Sequence, residues 1–136
     1  MRGERRKARS LALRVLYEQD LMGHDAGKIL ERLLVYEKLS EVNTRFARDL
    51  VEGVLRHRDE VDAKINDFAP AWPINQLSLV DRNILRLAIF EILLDNKVPV
   101  KAVINEAVEL AKTFGSESSS RFINGVLGSI SALASR

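Results

Sequence analysis

A chain of 136 residues with 46% hydrophobic and 29% charged side chains has the length and balance of one folded domain with its own core. It contains no cysteine, which excludes a disulfide framework and thiolate metal sites and agrees with a reducing, cytoplasmic setting. The net charge is only +2, yet residues 1–9 hold Arg2, Arg5, Arg6, Lys7 and Arg9 against Glu4, a local +4 that leaves the rest of the chain at −2. Basic character concentrated in one short segment points to a polyanion.

The first helix is expected from about Glu4 to Met22. Ala8, Leu11, Ala12, Val15, Leu16 and Met22 share a face that should be core. Arg2, Arg5, Arg6 and Arg9 share a polar face, continued towards the C-terminus by Leu13 and Tyr17 as an exposed or half-exposed apolar end. Arg14, Glu18 and Asp20 interrupt what would be a signal-peptide core, and no apolar run approaches the roughly 20 residues needed to span a bilayer. The apolar face reads as core and not as a lipid wedge, so no membrane partner is expected.

Gly23 and Gly27 bracket a loop, followed by a short helix with the stripe Ile29, Leu30, Leu33 and Leu34. Ser40, Asn43 and Thr44 offer caps for a long third helix whose apolar period runs Phe46, Leu50, Val54, Val61, Ile65 and Phe68. Ala69 to Pro73 is a turn around Trp72. It marks the seam between an N-terminal helical half (about 1–69) and a C-terminal half (about 74–136) of a single domain, 1–136. After a helical turn at Ile74 to Leu77, Ser78 caps a helix that begins at Leu79, with Asp81 near its positive end. Ile84, Leu85, Leu87, Ala88 and Leu93 bury that helix, and Asp95 to Lys97 closes it.

The stretch Pro99 to Leu127 then reads helix, tight turn, helix. Pro99 opens it, and Val103, Ala107, Leu110, Ala111 and Phe114 form its apolar face. Gly115 stands where a helix ends in a left-handed residue, and Ser116, Ser118, Ser119 and Ser120 offer caps for the last helix. Phe122, Ile123, Val126 and Leu127 bury that helix. Gly125 and Gly128 inside it imply close approach of another backbone. Sustained period-two alternation is missing throughout, so the fold class is all-α.

Catalytic signals are weak. The chain carries neither a GxxxxGK[ST] loop nor a GxGxxG turn. His24 and His57 read as ordinary surface or half-buried side chains, and Glu106 and Glu109 read as salt-bridge partners of Lys112. No catalytic residue, metal site or cofactor is expected. The basic helix start is the best functional signal, because arginine forks on one face can track a phosphate backbone.

Three segments, INEAVELAKTFG followed by SSRFINGVL, WPINQLSLVDRNILRLAIFEIL, and the N-terminal RRKARSLALRVLY, together resemble the NusB family of transcription antitermination factors. The resemblance is collinear and covers almost the whole chain. It implies one domain of about six or seven helices in two stacked bundles, without enzymatic activity. It also implies binding of the single-stranded boxA element of nascent ribosomal RNA, jointly with the small-subunit ribosomal protein NusE, within an RNA polymerase antitermination complex. By the same resemblance the RNA site maps onto Arg5, Arg6, Lys7 and Arg9 and onto the turn Lys112 to Phe122, and the partner site onto Tyr17 and Asp81. In that turn Phe114 and Phe122 are candidates both for base stacking and for the core. Ser118 stands where many relatives carry an acidic residue, a change that should favour RNA. Two other readings stay open: an accessory RNA-binding module for an RNA cytosine methyltransferase, and a helical adaptor that touches no RNA. Whether the chain is a monomer or a homodimer also stays open.

Overall fold

The computed structural model describes residues 2–134, and only the backbone of Arg2, so the expected placement of the Arg2 side chain lies outside the described residues. Seven α-helices follow one another among the described residues, and no strand. They are α1 (Arg2–Met22), α2 (Ala26–Tyr36), α3 (Glu41–Arg56), α4 (Arg58–Phe68), α5 (Leu79–Ile89), α6 (Val100–Phe114) and α7 (Ser119–Ile130). The expected turn before α5 is a 3-10 turn, Ile74–Gln76, and a π-helical turn, Phe90–Asp95, extends α5.

Local chemistry accounts for most of these boundaries. Ser40 and Ser78 accept hydrogen bonds at Oγ from the Asn43 and Asp81 backbone N–H groups, at 3.2 and 3.1 Å, which satisfies donors that a helix start leaves orphaned. The Glu4 carboxylate accepts from the Ser40 backbone N–H and so ties the start of α1 to the start of α3. Asn96 closes the π turn in the left-handed region (φ 61°), and its N–H donates to the Glu91 carbonyl at 3.1 Å.

α5 is the central element. Every residue from Asn83 to Ile89 is buried, because α5 packs against α1, α4, α6 and α7 at once. α1 in turn packs against α2, α3 and α5, while α6 and α7 pack together as a hairpin. A polar network joins three of these helices. Asp20 on α1 accepts from Arg82, Asn83 and Arg86 on α5, and Arg86 reaches on to Asp62 on α4 at 2.8 and 2.9 Å. Burial pushes the Asp20 carboxyl up, but the Arg82 and Asn83 hydrogen bonds and the Arg86 charge outweigh it and hold it down at about 2.

Several expectations need correction. The long third helix is two helices, broken at His57 (φ −108°, ψ 22°). The break lets α3 pack on α1 and α4 pack on α5. The charge pattern carried the signal: Arg56 ends one helix and Asp59 and Glu60 begin the next, each favourable to its own dipole. Met22 is exposed, and Leu13 is buried. Gly115 is extended (φ −92°), not left-handed; a side chain there would collide with Ser119, whose Oγ accepts from the Ser116 N–H at 2.9 Å. Gly125 and Gly128 meet no neighbouring atom where a Cβ would stand, so no close approach explains them. Gly53 is the glycine that close packing requires, because a methyl group there would overlap the Phe90 ring.

Candidate nucleic-acid interface

Among the described side chains, the first two turns of α1 supply four cations, and the fold gives each a different environment. Arg9 is buried. Its Nε and Nη2 donate to the two carboxylate oxygens of Glu91, both at 2.9 Å, and its guanidinium lies 5.0 Å from the centre of the Phe46 ring. The expectation that Arg9 lies on an exposed polar face is therefore corrected: it is a core cation, neutralised by a residue of the π turn. Arg5 is half-buried, with its guanidinium 4.0 Å above the same Phe46 ring. Arg6 is exposed and donates from Nε and Nη2 to Glu106 on α6 at 3.0 and 2.9 Å, which leaves Nη1 unused by this pair. Lys7 is exposed and forms no ion pair among the described residues. Glu106 thus pairs with Arg6 and not with Lys112, which instead meets Glu109 at 3.3 Å.

Arg6 and Lys7 face the C-terminal end of α6 across a groove of about 350 Å³, whose far wall includes Glu109, Thr113 and Phe114. Phe114 is 38% exposed, so the apolar face of α6 ends at Leu110 and Ala111, and the last aromatic ring is left at the surface. Here the fold joins residues that lie about a hundred positions apart: exposed cations on one wall and an exposed aromatic ring on the other. That pairing suits a single-stranded nucleic acid, which is held by phosphate contacts and base stacking together.

Phe114 also lines a second groove, of about 570 Å³, with Leu13, Tyr17, Leu21, Met22 and Val80. Tyr17, Leu21 and Met22 are all exposed, an apolar patch on the C-terminal half of α1. Glu18 at its rim accepts from Arg32 and contacts His24 at 2.9 Å, and these hydrogen bonds hold its carboxyl down at about 2.

The third groove, of about 390 Å³, is lined by Trp72, Asp81, Ser118, Arg121 and Phe122 among others. Phe122 is partly buried against the core, and Ser118 is exposed. Asp81 lies in the first turn of α5, and its Oδ1 is buried without a hydrogen-bond partner. Tyr17 and Asp81 therefore do not share a groove. They flank the start of α5 on two sides, with Val80 facing Tyr17 and Asp81 facing Ser118 and Phe122. Trp72 was not singled out by its sequence context as a site residue. It is 55% exposed, and its signal was a lone tryptophan held between two prolines.

A NusB family model matches residues 6–132. A "Transcription antitermination protein NusB" from Dehalococcoides mccartyi (strain CBDB1) is 57% identical over 131 residues, which span 96% of this chain and 92% of that protein. The protein of the same name from Chloroflexus aggregans (strain MD-66 / DSM 9485) is 50% identical over 93% of this chain and 86% of its own length. Among solved structures, T. maritima NusB superposes with a TM-score of 0.89 at 33% identity, covering 97% of this chain and 93% of that one. A chain from a crystal structure of antitermination factors NusB and NusE in complex with dsRNA superposes with a TM-score of 0.89 at 30% identity, covering 98% and 99%. The seven-helix architecture, the collinear sequence and these matches agree over nearly the full length, and the chain belongs to the NusB family.

Proposed function

We propose that this protein is a transcription antitermination factor that binds the boxA element of nascent ribosomal RNA together with the ribosomal protein NusE, within an RNA polymerase antitermination complex. It acts by binding and not by catalysis. The observation that carries the reading is the groove that sets Arg6 and Lys7 against Phe114. Lys7 supplies an uncommitted charge, Arg6 is oriented by Glu106 with Nη1 outside that pair, and Phe114 offers a ring for an unstacked base. Arg5, on its aromatic rest above Phe46, and Lys112, exposed on α6, add positive potential at the two ends. Ser118 and Phe122 carry the RNA path onto the turn before α7. The solved relative that holds NusE and RNA supports both ligand classes.

The partner site belongs to the Tyr17 groove. Tyr17, Leu21 and Met22 form an exposed apolar strip with a polar phenol tip, the composition of an interface core. Asp81, next to Val80 in the first turn of α5, is assigned to the border of that site.

The test is filter binding of a boxA oligoribonucleotide at several salt concentrations, with NusE present. The Arg6→Ala/Lys7→Ala variant should bind more weakly, with a shallower salt dependence, since fewer counterions are released. Its melting temperature should stay near that of the parent. Equal affinity and equal salt slope would remove the RNA site from this groove.

A further inference from the structure

We propose that Trp72 is a base-stacking platform at the far end of the RNA path, which extends the site beyond Phe122 into the groove between the α4–α5 turn and the start of α7. This rests on the RNA reading above. Three observations carry it. Trp72 is 55% exposed although it is the only tryptophan of the chain. Exposing so large an apolar face in water is unfavourable, and covering it with a stacked base would remove that cost.

The backbone that carries the ring is also held in place. Pro70 and Pro73 fix backbone angles on either side, the Trp72 N–H donates to the Ala69 carbonyl at 3.1 Å, and the 3-10 turn Ile74–Gln76 follows directly. A platform fixed before binding loses little conformational entropy when a base lands on it.

The third observation is the company it keeps. The same groove presents Phe122 and Arg121 from α7, and Arg121 is exposed and forms no ion pair among the described residues. Ser118, on the turn already assigned to RNA, lines it too, so the groove is continuous with that path. Aromatic faces with an uncommitted cation beside them are the composition that holds successive bases and the phosphate between them. The occupant inferred is a single-stranded RNA segment, with one unpaired base on Trp72 and its phosphate near Arg121. Asp81 lines the same groove, and the phosphate is assigned to its Arg121 side.

Because Trp72 is the sole tryptophan, its emission reads the site directly without mutation. The experiment records Trp72 emission of the parent protein alone, then after addition of a tryptophan-free form of NusE, and then through a titration with a boxA oligoribonucleotide. RNA affinity is measured in parallel by filter binding for the parent and for Trp72→Leu, Trp72→Phe and Tyr36→Ala. The inference expects Trp72 emission to be quenched with the same midpoint as RNA binding. It expects Trp72→Leu to weaken binding roughly 5- to 150-fold, the range for loss of one stacked base. Trp72→Phe should keep most of the affinity, and Tyr36→Ala, at an exposed aromatic outside all three grooves, should keep all of it. If the parent binds RNA while its emission stays constant and Trp72→Leu binds as tightly, the inference is overturned and the RNA reading survives. If NusE alone quenches the emission and RNA adds nothing, Trp72 is a protein contact and the inference is overturned. If the parent binds no RNA with NusE present, the RNA reading fails and takes this inference with it.

Discussion

Replacing Arg9 by alanine separates a structural cation from the cations beside it that are proposed to bind RNA. Arg9 and Glu91 form a bidentate pair with side chains only 8% and 3% exposed, and the Arg9 guanidinium also rests 5.0 Å from the Phe46 ring centre. Truncation leaves the Glu91 carboxylate buried beside α1 without this partner. Removing one member of such a pair costs about 3–5 kcal/mol, most of it the penalty of the charge left behind. A natural domain has only about 5–15 kcal/mol in total. For a chain of this size the loss corresponds to a fall in Tm of about 10–20 °C. Urea and thermal melts followed by circular dichroism would measure it, with Glu91→Gln as the reciprocal variant. A double replacement, Arg9→Met with Glu91→Leu, should recover part of the loss, because neither charge of the pair then stays buried. The reasoning is refuted if Arg9→Ala melts within about 1 kcal/mol of the parent, or if the double variant is no more stable than the singles. Lys7→Ala supplies the contrast: Lys7 is exposed and should lose RNA affinity with an unchanged melt.

The turn before α7 should respond to charge: Ser118→Asp places a carboxylate beside the proposed RNA path, so filter binding should weaken at low salt and recover towards the parent as salt screens it. Tyr17→Asp should lower NusE affinity in a calorimetric titration without RNA, by roughly 1 kcal/mol or more, while the melt stays near that of the parent because Tyr17 is already 37% exposed. Acid should weaken the α1–α4–α5 network through Asp20. Its carboxyl is held at about 2 against an ordinary 3.8, so its contribution is complete above about pH 4 and is lost as pH falls through about 2. In urea melts from pH 6 down to pH 2, Asp20→Asn should be less stable than the parent at pH 6, with the gap closing over the last two units; a gap of constant size would remove Asp20 from the acid response.

The helices, most of their ends and the buried stripes were decided by short-range chemistry, and so they were legible in the sequence. A serine cap at 40 or 78, a proline at 99 and an apolar period of 3.6 act within one or two turns, where the neighbours are known from the chain itself. The family was legible for the same reason, because its motifs are contiguous runs. The roles of individual cations were not. Arg5, Arg6, Lys7 and Arg9 are alike in type and adjacent in sequence, yet one is buried on Glu91, one is tied to Glu106, one lies on Phe46 and one is uncommitted at the surface. The need for a glycine at 53 likewise depends on where the Phe90 ring sits. The tertiary fold also set Tyr17 and Asp81 on different grooves and brought Trp72 to the turn that carries Ser118. The cost of a charge or a ring depends on how much water the surrounding surfaces remove, and those surfaces come from segments tens of residues away that no local pattern encodes.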